Sequence, residues 1–246
     1  MSKSFSTDVL KRGYRSLRLF SHLAQYAEAT DNSALDVSTD FTLELCFRLR
    51  EQVPASTSFI LINKFNPTGN ERAYQIFLNN TAGTYTIGSL VSQNGTADTL
   101  EYDHVTIIHQ FPVGVWTHLA MSWDASAAIA AEFKFYVNGE DLGATTTQHD
   151  GGITSVHDST APLRIGQGNG GGYVNGDIDD VRIWNVLRST TEIRDNAFNE
   201  LVGDETNLAG YWKLNGDLFD STANANHLTS YGTILPVFDK SGGVDV

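Results

Sequence analysis

From residue 41 the chain alternates strictly, with Phe41, Leu43, Leu45, Phe47 and Leu49 on one side and Thr42, Glu44, Cys46, Arg48 and Arg50 on the other. Successive side chains of a strand point to opposite faces, so this period predicts a half-buried β-strand. Pro54 and the Ser/Thr cluster behind it stop the strand. An apolar run resumes over 58–63 and ends at the turn cluster Asn66-Pro67-Thr68-Gly69-Asn70. Further strands are predicted over 73–78, 85–91, 105–110, 117–123, 133–137, 163–165 and 178–184. Asn-Gly pairs occur at Asn94-Gly95, Asn138-Gly139, Asn175-Gly176 and Asn215-Gly216. Both residues tolerate positive φ, which hairpin turns need, so 133–142 reads as a hairpin. One segment carries helical spacing: Ser189 and Glu192 form a capping box, followed by Ile193, Ala197 and Leu201 until Gly203. The prediction is a sandwich or barrel of many short strands with one short surface helix near 189–201.

Composition narrows this picture. Hydrophobic residues make up 41% and aromatics 11% of 246 residues, enough to fill one large core, while charged residues reach only 18%. A net charge of -13 opposes any grip on nucleic-acid phosphates or anionic lipid. The single cysteine, Cys46, excludes an intrachain disulfide and a cysteine-based zinc knuckle. The opening MSKSFSTDVLKRGYRSLRLF has no apolar run that would serve as a signal-peptide core, and no long apolar stretch occurs elsewhere. The expectation is a soluble chain with no signal peptide and no membrane insertion.

Four segments, in order, resemble the laminin-G-like (concanavalin A-like, pentraxin-related) jelly-roll superfamily. They are SLRLFSHLAQYAEATDNSALDVSTDFTLELCFRL (16–49), VWTHLAMSWD (115–124) with FKFYVNGEDL (133–142), PLRIGQG (162–168) with GDIDDVRIWNVLRSTTEI (176–193), and LAGYWKLNGDLFDSTANANHLT (208–229). The resemblance implies an all-β fold, an antiparallel two-sheet β-sandwich, over residues 16–235. Residues 1–15 and 236–246 match no family motif and are expected as an N-terminal arm and a C-terminal tail that contact a partner.

Several residues invite chemistry. Asp177, Asp179 and Asp180 lie beside Asn175 and a glycine-rich loop, and clustered hard oxygen ligands suit Ca²⁺. The resemblance implies a structural calcium held by Asp179 or Asp180 with Asp31 or Asn32; the alternative is that Asp179 and Asp180 pair with Arg182 and Arg188. Asn215, Asp217, Asp220, Asn224 and Asn226 form a second cluster, read as turn residues. Glycosidases of this fold carry E-x-D-x-x-E, whose carboxylates share one face. Here 177–182 reads DIDDVR and puts Arg182 where the second catalytic carboxylate belongs. Neither G-x-S-x-G nor H-E-x-x-H occurs. Gly166-Gln167-Gly168-Asn169-Gly170-Gly171-Gly172 contains G-x-G-x-x-G, but a strand pattern follows where a phosphate site needs a helix, so it reads as a flexible rim loop.

Sugar binding needs aromatic rings for pyranose faces and amides for hydroxyl groups. Tyr74, Tyr102 and Tyr173, with Asn169 and Asn175, are the candidates, and Tyr85 is a further one. Trp116 and Trp123 are read as core. The function expected is a non-catalytic recognition or adhesion module for carbohydrate or glycosylated surfaces, displayed on a larger assembly. Two alternatives stand beside it: a structural or decoration protein of a phage virion or tail, and a polysaccharide-active enzyme on the same fold.

Overall fold

The strands expected from the alternation form, and pairing lengthens most of them. The computed structural model describes residues 15–96, 102–127, 131–143, 146–149, 152–232 and 237–238. In chain order these give β1 (Leu17–Leu19), β2 (Tyr26–Ala29), β3 (Phe41–Leu49), β4 (Thr57–Asn66), β5 (Glu71–Thr81), β6 (Thr84–Ser92), β7 (Tyr102–Ile108) and β8 (Thr117–Trp123). There follow β9 (Phe133–Val137), β10 (Glu140–Asp141), β11 (Thr146–His149), β12 (Leu163–Ile165), β13 (Gly176–Trp184), α1 (Thr190–Asn196), β14 (Leu208–Trp212), β15 (Thr229–Tyr231) and β16 (Val237–Phe238).

Two eight-stranded sheets result. The first, sheet A, runs β10-β9-β8-β3-β13-β1-β16, with β14 also on β13; sheet B runs β11-β7-β6-β5-β4-β12-β2-β15. Strand β13 serves two neighbours on one side. Its residues 176–178 pair with β1 and residues 181–184 with β14, and a bulge between them holds Asp180 at φ 56°. The two inner faces meet in a single core. Leu43, Leu45, Phe47, Leu119, Met121, Trp123, Ile178 and Ile183 face Leu61, Tyr74, Ile76, Ile87, Val91, Leu163 and Ile165. The alternation thus positions the core, with Phe41 wedged 5.5 Å from the ring of Tyr74 and 5.8 Å from that of Trp123. Trp116 sits outside this core, half-buried beneath the guanidinium of Arg48.

Strand β3 is not half-buried as its pattern predicts; both faces are covered. Helix α1 and the chain on either side of it lie across the outer face of sheet A. Ser189 Oγ accepts from Glu192 N while Glu192 Oε2 accepts from Ser189 N, the expected capping box, and Ile193 packs on Ala120 and Tyr136. Gly139 in the β9–β10 turn has φ 82°, and a Cβ there would fall 2.6 Å from Arg194 Cα, so glycine lets the hairpin meet the helix. Cys46 fills the layer between, its Sγ 3.6 Å from the carbonyl of Ala197. The helix ends before Leu201, which instead packs with Trp184, Leu208 and Tyr211. At the chain's end, β16 pairs with β1 inside the stretch expected as a tail, because β1 would otherwise leave its backbone groups unpaired at the sheet edge. The N-terminal arm lies, up to residue 14, outside the described residues. Among the described residues no helix is long and apolar enough to cross a membrane.

Candidate functional site

The polar residues of sheet A's outer face are consumed by one another. Glu44, only 1% exposed, accepts from His118 Nε2 at 3.0 Å and Trp184 Nε1 at 2.6 Å, with Arg182 Nη1 at 3.6 Å. Burial alone would raise the Glu44 pKa, but the His118 hydrogen bond, the Arg182 guanidinium and the Trp184 N–H together hold it below the usual glutamate value. Arg182 also donates to Asp180 Oδ2 at 2.8 Å and to the Asn196 carbonyl at 3.0 Å. Asp177 is enclosed by Arg18 at 2.9 Å, Arg48 at 2.8 Å and Arg50 at 3.4 Å. These carboxylates are buried and neutralised by side-chain cations of the same fold.

The four residues expected to share a calcium do not meet. Asp179 and Asp180 lie on β13 in sheet A, while Asp31 and Asn32 follow β2 at the margin of sheet B. Asn32 caps a short 3₁₀ turn by accepting from Ala34 N at 2.9 Å. Asp31 receives the ammonium of Lys64 at 2.6 Å; that fully buried ammonium also lies 3.0 Å from Asp36 Oδ1 and donates to the carbonyls of Ala161, at 3.0 Å, and Ser159. A side-chain cation therefore stands among the oxygens that a metal would need, and the guanidinium of Arg182 does the same for Asp180. The residues present do not fit the ion, and among the described residues no group of three or more His, Cys, Asp and Glu is arranged to hold a metal. In the second acidic cluster, Asp220 is saturated by Tyr211 N, Thr222 N, Thr222 Oγ1 and Asn226 N, as a turn-organising residue.

Among the described residues, no helix covers the outer face of sheet B. Residues directly opposite on neighbouring strands share a face, so the register places Thr229, Glu28, Arg164, Asn63, Gln75 and Leu90 in one row across it. Next to this row Ile60, Phe77 and Gly88 form another. Gly88 has a reason to be glycine: a Cβ would come 2.3 Å from Phe77 Cζ, whose ring lies across it. Beside Ile60 the glycine-rich segment 168–172 folds onto β4. Added Cβ atoms at Gly168 and Gly172 would strike Ile60 Cγ1 at 2.9 and 2.5 Å, and Ile60 N donates to the Gly172 carbonyl at 2.8 Å. Gly168 bridges Gly171, and Gly166 N holds Leu61 O at 3.0 Å. The loop expected to be free is anchored, and as expected it leads into a strand.

Between this loop and β4 lies an open groove of about 460 Å³. Ser58, Ile60, Phe65 and Gln75 contribute from the sheet and Asn169 with its neighbouring glycines from the loop; Ser56, Thr57 and Pro67 complete it, and among the described residues no charged side chain lines it. Asn169 is exposed and its Nδ2 donates to Asn66 Oδ1, tying the loop to the turn after β4. On the far side of the loop Tyr173 packs against Tyr26, ring centroids 6.3 Å apart, and Tyr26 stacks on Tyr231 at 5.0 Å and 13°. Arg164 lies 5.5 Å over Tyr26 and donates to Glu28 at 2.7 Å.

Of the residues expected to touch sugar, Asn169 lines the groove and Tyr173 stands beside it. Asn175 is half-buried at the start of β13, where its carbonyl accepts from Arg50 N, and it does not line the groove. Tyr74 requires correction: it is a core residue with no exposed surface, its hydroxyl donating to the Leu35 carbonyl at 2.9 Å, and burial raises its pKa far above the ordinary tyrosine value. The side chain of Tyr102 lies outside the described residues, and Tyr85 packs against the core. Gln75, which lines the groove, and Tyr26 and Tyr231, which stand with Tyr173, were not among the residues singled out from the sequence. The alternation Tyr26-Ala27-Glu28-Ala29, with small residues inward, was the signal for Tyr26; nothing local marks Tyr231.

Solved structures share this fold. A candidate carbohydrate binding protein from Bacteroides ovatus superposes with a TM-score of 0.62 at 15% identity, over 92% of this chain and 62% of that one. The chain therefore spans less than two thirds of that protein's length. The heptameric SAP-like pentraxin of Limulus polyphemus matches with a TM-score of 0.51 at 15% identity, over 74% of this chain and 80% of the other. The binding domain of botulinum neurotoxin serotype G matches with a TM-score of 0.54 at 10% identity, over 74% and 42%. No curated protein sequence matches the chain. Residues 22–194 match the third laminin G family of the concanavalin A-like lectin/glucanase superfamily, and with the two-sheet topology described above, the chain belongs to that superfamily.

Proposed function

We propose that the chain is a non-catalytic carbohydrate-recognition module that holds its ligand in the groove between β4 and the 168–172 loop. One observation carries the reading: the outer face of sheet B bears a groove of about 460 Å³ that combines apolar surface (Ile60, Phe65) with neutral hydrogen-bonding side chains (Ser58, Gln75, Asn169). A pyranose presents one apolar face and a ring of hydroxyls, and such a mixed lining answers both. The description of the Bacteroides ovatus protein as carbohydrate binding supports the same class. Hydrolysis by paired carboxylates needs two of them across a bound sugar, and among the described residues the groove lining contains neither Asp nor Glu.

The test is a glycan array with purified protein, read with and without chelator. Binding that survives chelation and falls in Gln75→Ala and Asn169→Ala supports the reading. Absence of binding to any glycan under both conditions removes it, and turnover of a bound polysaccharide removes the non-catalytic part.

A further inference from the structure

Resting on that carbohydrate reading, we infer that the ligand is an uncharged oligosaccharide chain whose later residues lie on a tyrosine ledge formed by Tyr26, Tyr173 and Tyr231. The groove and the ledge occupy the same face of one sheet. Gln75 lines the groove, and the register carries its row through Asn63 to Arg164, whose guanidinium lies 5.5 Å over the ring of Tyr26. Both features border the same loop: Gly172 lines the groove and Tyr173, the next residue, packs against Tyr26. Tyr26 belongs to β2, two strands from β4 and hence about 10 Å across the sheet, and Tyr231 lies about 5 Å further on. A single sugar in the groove cannot reach them, whereas a chain leaving it over the loop can.

The charge of the ligand follows from the same surface. Among the described residues the groove has no ionic lining. Of the charges between groove and ledge, Arg164 and Glu28 satisfy each other at 2.7 Å. Arg72 lies 5.5 Å over the ring of Phe65 and already donates to the Gly95 carbonyl at 2.9 Å, so a carboxylate or sulfate on the sugar would lose water there in exchange for a cation already engaged, and it would approach a chain of net charge -13. Tyr231 is 40% exposed although it stacks on Tyr26, so the cluster presents aromatic surface outward instead of closing on itself. A stacked cross-strand pair also stabilises a sheet edge by itself, and that is the competing role the experiment must separate.

The probe is a set of neutral glucan, mannan, xylan and galactan fragments of one to six residues, with sialylated, sulfated and uronate-containing counterparts. Affinities are measured for the wild type, Tyr231→Ala, Tyr231→Phe and Tyr173→Ala. The expected result is neutral binding that tightens beyond the disaccharide. Tyr231→Ala then loses about tenfold on the longer fragments, the order of one ring contact, and changes little on mono- and disaccharides. Tyr231→Phe restores the tight binding. Tyr173→Ala, outside the strands, gives the same pattern even where Tyr231→Ala is too unstable to measure. Affinity independent of length, equal losses on short and long fragments, or preference for anionic glycans overturns the inference while leaving the groove in place. Absence of binding to every fragment overturns the carbohydrate reading itself.

Discussion

Glu44→Gln removes one charge from the network beneath α1 and leaves its shape intact. The carboxylate has almost no exposure and accepts from His118 and Trp184, with Arg182 at 3.6 Å. Removing one partner of a buried ion pair costs about 3–5 kcal/mol. The lower end applies here, because Arg182 keeps Asp180 and two backbone carbonyls, and the glutamine oxygen still accepts from one of the two N–H donors. Against this, the new NH₂ faces either the Trp184 or the His118 donor, so the net loss is about 3 kcal/mol. In urea, with a slope of about 3 kcal/mol per molar for a domain of this size, the midpoint falls by about 1 M. The pH dependence gives an independent reading. The folded pKa of Glu44 lies below its unfolded value, so its contribution is complete above the ordinary glutamate range and is lost as pH falls through the folded value. The gap between wild type and variant therefore closes on acidification. Tryptophan fluorescence in urea at a series of pH values measures both. A loss under about 1 kcal/mol at neutral pH, or a gap that stays constant into acid, refutes the electrostatic account.

Other outcomes follow from the same contacts. Lys64→Met strips the ammonium from Asp31, Asp36 and two carbonyls and should cost about 3 kcal/mol in urea unfolding; a neutral effect would show that these oxygens are solvated without it. Chelation should leave the wild-type melting temperature unchanged, because Lys64 and Arg182 already occupy the carboxylate positions; a drop on adding EDTA would reveal a metal. Gly139→Ala meets both a left-handed φ and the backbone of Arg194, so it should cost more than the roughly 1–2 kcal/mol of the conformation alone. Far-ultraviolet circular dichroism and thermal melts check it, and a smaller loss would mean that α1 moves aside freely.

What could be read from the chain alone were features whose cause is local. The pleat has period two, so β3, β8 and β9 followed from their own alternation, with β8 and β9 correct to the residue. The Asn138-Gly139 turn needed only residues that accept positive φ, and the capping box at Ser189 and Glu192 needed only a three-residue spacing. The surface position of Asn169 and Tyr173 was legible for a similar reason, since both sit in a glycine-rich loop whose composition marks it as a surface segment. Everything that depended on neighbours distant in the chain had to wait for the fold. Thr42 and Glu44 look like part of a solvent-facing row, and burial reverses that because α1 and its flanking chain return across them. Tyr74 and Tyr26 have the same local chemistry, yet one faces the core and the other the outer side of sheet B. Asp31 resembles a metal ligand until pairing brings the Lys64 ammonium to it, and Tyr26 meets Tyr231 only because β15 returns to the edge of sheet B. Side-chain direction is a property of the strand, whereas burial and partnership are properties of register and layer, which no short window of sequence contains.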